Sequence, residues 1–93
     1  MSLSTIDLAK ARDAAKAILE ELQLDNYIFA VEPRNQSWEL TIECACEIDG
    51  GWKTTKIQVP KRMLLGSFDN DEAKYHLFEY WKEKLIGCKL RQP

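Results

Sequence analysis

The 93-residue chain predicts an α+β domain in the order α-β-β-β-(short α)-α, a three-stranded antiparallel meander with both long helices packed on one face. Three observations predict it. Apolar residues recur at spacings of three and four near both ends, residues 38–49 alternate strictly in polarity, and two turn sequences divide the middle of the chain into strands.

Residues 4–23 form the first predicted helix. Ser4 is followed three residues later by Asp7, as in a capping box, and Leu8, Ala11, Ala15, Ile18 and Leu22 make one apolar face. Small residues at Ala11, Ala14 and Ala15 let that face approach a neighbour closely. Asp25-Asn26 ends the helix, and the aromatic and β-branched run 27–32 begins the sheet. With Arg34-Asn35 as the loop, Val31 is expected beside Trp38, Phe29 beside Leu40 and Tyr27 beside Ile42.

The central strand carries the strongest signal. Trp38, Leu40, Ile42, Cys44, Cys46 and Ile48 alternate with Glu39, Thr41, Glu43, Ala45, Glu47 and Asp49, which predicts even-numbered side chains turned inward and odd-numbered ones turned to water. At about 3.4 Å per residue such a strand is ~40 Å long, so a twist or bulge is expected. Gly50-Gly51 suits a two-residue hairpin loop, which would set Cys46 opposite Thr55, Cys44 opposite Ile57 and Ile42 opposite Val59. The outer strands, 27–32 and 53–59, then overlap different halves of the central one.

Pro60 closes the third strand and opens a short helix over 60–66 that stops at Gly66. The last helix is expected to begin near Asp69, with Asp69 and Glu72 as its capping box and Phe68 against Ala73 as a staple. Its core face is Ala73, Leu77, Trp81 and Leu85, widened by Phe78 and Tyr80, and Gly87 is its C-cap. Residues 1–3 and 89–93 are expected to fray, the latter unless Leu90 packs.

Length and charge bound the function. The chain is short enough for a single domain over residues 1–93. Thirteen Lys and Arg against fifteen Asp and Glu give a formal charge of −2, without the cationic footprint of a general nucleic-acid or membrane-surface binder. No apolar run approaches a membrane span, and Asp7, Lys10, Arg12, Asp13 and Lys16 occupy the stretch where a signal peptide is apolar. These features predict a soluble cytoplasmic protein. An odd number of cysteines in such a chain predicts reduced thiols.

Cys44, Cys46, Cys88 and His76 are the ligand types of a zinc site. Cys44 and Cys46 nevertheless lie within an apolar alternation, where a free cysteine acts as a small hydrophobe, so they are read as core. His76, four residues after Glu72, is read as a partner in a surface ion pair. No metal, cofactor or catalytic group is assigned, and a small thiol or metal protein is retained only as a third reading.

The leading expectation is a non-enzymatic protein-interaction module. Glu39, Glu43 and Glu47 share the wet face of the central strand, Asp49 lies at its end, and Trp52 sits at the hairpin rim on the same face. Large aromatic groups dominate interface energetics, so Trp52 is the expected anchor for a protein partner. In the expected register Gln58 neighbours Glu43, Lys56 neighbours Ala45 and Thr54 neighbours Glu47. Self-association through either outer strand is the other form of this expectation. The alternative is nucleic-acid binding through Lys53, Lys56, Lys61 and Arg62.

In element order the chain resembles the double-stranded-RNA-binding domain, which likewise packs two helices on one face of a three-stranded sheet. The resemblance implies the fold. That family binds through a lysine-rich start of the last helix, whereas this chain has Asp69-Asn70-Asp71-Glu72 there, with Lys74 the nearby cation, so no RNA-binding residue carries over. The helix, three strands, helix outline is also similar to the first half of the small acidic chaperones of bacterial secretion systems.

Overall fold

The computed structural model describes residues 5–46, 48 and 50–91, with the side chains of Thr5 and Ile6 outside the description. Its order is the expected one: α1 (Thr5–Leu22), β1 (Tyr27–Pro33), β2 (Ser37–Ala45), β3 (Trp52–Pro60), α2 (Lys61–Gly66) and α3 (Asp71–Lys84). The three strands form one antiparallel sheet in the order β1-β2-β3. Trp38, Leu40, Ile42 and Cys44 of β2 are fully buried against Ala11, Ala15, Ile18 and Leu19 of α1 and Leu77 and Trp81 of α3 in a single core. The buried alanines of α1 remove side-chain bulk where that helix contacts β1, α2 and α3.

Parity held and register did not. β2 pairs with β3 through Leu40 with Ile57 and Ile42 with Thr55, four residues away from the Gly-Gly expectation. A four-residue slip keeps every side chain on its own face, so the alternation cannot resist it. The observed register gives Trp38 a partner in Val59, whereas the expected one places Trp38 opposite a residue beyond Pro60. The first hairpin moves by two: Arg34 N–H donates to Ser37 O at 2.8 Å, leaving Asn35-Gln36 as the loop, with Phe29 opposite Ile42 and Val31 opposite Leu40. β1 and β3 therefore cover the same span of β2, and the expected stagger is absent.

The central strand also ends sooner than expected. It stops at Ala45, and Ile48 is 90% exposed instead of buried. A disulfide joins Cys44 to Cys88 at this end of the strand, which corrects the expectation of reduced thiols. It draws the end of the chain in beside β2: Cys46 bridges to Cys88, Lys89 N–H donates to Ala45 O at 2.7 Å, and Asp25 N–H donates to Lys89 O at 2.8 Å. Arg91 N–H donates to Gln23 O at 2.8 Å, so residues 89–91 are tied down where fraying was expected. Residues 1–3 and 92–93 lie outside the described residues.

Helix boundaries shift for local reasons. α1 ends at Gln23, whose φ of 57° is the left-handed stop that a glycine usually supplies. The N-cap of α3 is Asn70, not Asp69; its side-chain oxygen accepts from Ala73 N–H at 3.1 Å. Phe68 is exposed and so does not act as the expected staple. Tyr80 is exposed with Lys84 over its ring and does not widen the core face. α3 stops at Lys84, and Gly87, at φ 101°, lets the backbone turn past Lys53 toward Cys88.

Candidate interaction surface

The helix-free face of the sheet is built by parity. Ile28, Ala30 and Glu32 of β1, Glu39, Thr41, Glu43 and Ala45 of β2, and Trp52, Thr54, Lys56 and Gln58 of β3 share it. Trp52 lies at one end opposite Ala45 and is 63% exposed, and Ile28 is 60% exposed.

The acidic character of this face is smaller than the sequence suggests. Glu32 and Glu39 stand directly opposite one another, an arrangement that would repel, but Arg34 Nη2 lies 3.0 Å from Glu39 Oε1 and 3.7 Å from Glu32 Oε2. Gln58 Nε2 donates to Glu39 Oε2 at 3.4 Å, and Thr54 Oγ1 donates to Glu43 Oε1 at 3.5 Å. The register shift makes these the cross-strand partners, replacing the expected Gln58 with Glu43 and Thr54 with Glu47; Lys56 stands opposite Thr41 rather than Ala45. Glu47 and Asp49 lie outside the described residues. Glu43 is the carboxylate on this face without a cation beside it among the described residues.

Sequence reasoning missed the apolar groove that the segment after α3 forms with the end of α1. Lys53 Nζ donates to Ile86 O, and Ala45, the partner of Trp52, accepts from Lys89 N–H, so the hairpin end and the terminal segment form one edge of the molecule. Ile86 and Leu90 are exposed, and with Leu22, Leu24, Lys82 and Leu85 they line a groove of about 260 Å³. The disulfide and the backbone hydrogen bonds of Asp25, Lys89 and Arg91 hold Leu90 beside Leu24, and no local pattern announces it.

The other sequence candidates do not assemble. Lys53 turns toward Ile86, Lys56 lies on the helix-free face, and Lys61 reaches Asn35 O and the Trp38 ring at the far end of β3, beside exposed Arg62. At about 3.3 Å per residue, Lys53 and Lys61 are ~26 Å apart along the strand, so these cations make no single phosphate-binding patch. Cys44 and Cys88 are bonded to each other, leaving Cys46 as the free thiol, half-buried. His76 is exposed on α3, 3.8 Å from Glu72, as the i,i+4 spacing predicts. Among the described residues no three His, Cys, Asp or Glu side chains gather in a metal-holding group, and no helix is long and apolar enough to cross a membrane.

No protein-family model matches the chain, and neither a curated protein nor a solved structure matches it.

Proposed function

We propose that this domain is a non-enzymatic protein-binding module whose contact surface is the hairpin end of the helix-free sheet face, anchored by Trp52, with Glu43 and Glu39 farther along the same face. The observation that carries this reading is the exposure of Trp52 on a sheet face that no helix covers. A large aromatic side chain left in water gains most when a partner buries it. Because Trp52 is 63% exposed, Trp52→Ala should leave the urea midpoint nearly unchanged, within about 0.5 kcal/mol. The same variant should lose most of its partner capture in a pull-down from native cells, compared with wild type. A stability loss above about 2 kcal/mol would place Trp52 in the core and remove the reading.

The disulfide bears on compartment. Reduced thiols were expected to accompany cytoplasmic residence, and the Cys44–Cys88 bond does not match that expectation. Protein disulfides persist where thiols are oxidised, so an oxidising compartment is the favoured place of action. Alkylation of thiols in intact cells before lysis should then find Cys46 as the modified cysteine; labelling of Cys44 and Cys88 as well would return the protein to the cytoplasm.

A further inference from the structure

We infer that β1 is a self-pairing edge, through which two copies of this chain form a two-fold dimer with one continuous six-stranded sheet. The surface involved is distinct from the hairpin end, so the inference stands or falls separately from the reading above.

The phase of the ladder shows which backbone groups are open. Arg34 N–H donates to Ser37 O, and Ala45 N–H donates to Asn26 O, in the register that pairs Ile28 with Glu43 and Ala30 with Thr41. Hydrogen-bonded pairs alternate along an antiparallel ladder, so the even residues of β1 face β2. The N–H and C=O groups of Tyr27, Phe29 and Val31 therefore point away from β2. β1 is the outermost strand on that side, and among the described residues these groups have no strand partner.

This edge lacks the usual protection. Residues 27–31 carry no charge, no proline and no bulge; charge appears at Glu32 and proline at Pro33. The opposite edge, β3, by contrast carries Lys53 and Lys56.

The strand is complementary to itself. With the two-fold axis at Phe29, Phe29 pairs with Phe29 of the second copy and Tyr27 with the second copy's Val31, so every outward N–H from 27 to 31 meets a C=O. Exposed Ile28 then lies against the second copy's Ala30, on the face that no helix covers. Moving the axis to Ala30 brings Pro33, which has no N–H, into a hydrogen-bonded position and sets Ile28 against Glu32.

Charge complementarity on the helical side agrees. Arg12, Asp13 and Lys16 of α1 border a depression floored by Phe29, and none of them makes an ion pair with a described residue. A two-fold axis beside this cluster offers Asp13 of each copy the Arg12 and Lys16 of the other as partners.

Sedimentation equilibrium in a Cys46→Ser background, from about 1 to about 500 µM, tests the inference without interference from intermolecular disulfides. The expected result is a reversible rise from one chain mass to two. Ile28→Lys with Ala30→Lys sets two cations opposite each other at both symmetric positions and should hold the protein monomeric over the whole range. Ile28→Lys with Ala30→Glu sets opposite charges there and should restore the doubled mass; because Ile28 and Ala30 are exposed, both variants should keep the parental circular dichroism and urea midpoint. A wild-type chain that stays monomeric at 500 µM overturns the inference. So does a dimer indifferent to the paired lysines, or one abolished by Trp52→Ala instead.

Discussion

Tyr27 shows how one side chain at the sheet edge ties pH to stability. Its hydroxyl donates to Glu20 Oε1 at 3.3 Å, and partial burial, followed by the negative charge and hydrogen bond of Glu20, raises its pKa above the usual tyrosine value. The folded protein therefore holds this proton more tightly than the unfolded chain does. The stabilisation is complete below the unfolded value of about 10 and is lost as pH rises through the higher folded value. Tyr27→Phe should flatten the alkaline limb of a urea-midpoint profile between about pH 9 and 11 while costing about 0.5 kcal/mol or less at neutral pH. An unchanged alkaline limb in the variant would show that Glu20 and Tyr27 are not coupled. Two other buried polar atoms have no comparable partner: the indole Nε1 groups of Trp38 and Trp81 are enclosed and make no hydrogen bond, which marks these rings as core for their size rather than for their polarity.

The terminal segment after α3 behaves as a short added strand. Cys88 is buried and bonded to Cys44, Leu90 bridges to Leu24, and backbone bonds from Asp25, Lys89 and Arg91 hold the segment between the end of α1 and the end of β2. Arg91 Nη2 lies 3.4 Å from Glu20 Oε2, a surface ion pair that adds little by itself. The disulfide spans a sequence separation of 44, and closing a loop of that size constrains the unfolded chain by roughly 2–4 kcal/mol. Cys88→Ala should lower stability by about that amount and expose the amides of Asp25, Lys89 and Arg91 to hydrogen exchange, while the β1-β2 ladder stays protected. If those three amides exchange no faster in the variant, the hydrogen bonds rather than the sulfur link hold the segment. Within the sheet, each hairpin kept its side-chain faces and changed its register. The Asn35-Gln36 loop displaced the expected one by a single residue, and the Gly-Gly loop gave way to a longer connection after Ala45.

For the molecule as a whole, the distribution of charge matters more than its sum. A formal charge of −2 leaves no cationic footprint, and the fold also scatters Lys53, Lys56, Lys61 and Arg62 over different faces and compensates Glu32 and Glu39 with Arg34. What remains distinctive is apolar: an exposed end around Trp52 and an uncharged open edge at β1.

The element order, the inward face of β2 and the identity of most core residues were legible in the chain, because each depends on periodicity over neighbouring residues. Trp38, Leu40, Ile42 and Cys44 are buried for the reason their alternation implies, and Trp52 is exposed for the same reason. Register, the stop at Ala45, the Cys44–Cys88 bond and the pairing of Leu90 with Leu24 were decided only in three dimensions. Each compares arrangements with identical local patterns, so the choice falls to contacts between residues far apart in the chain, such as Trp38 with Val59 or Cys44 with Cys88.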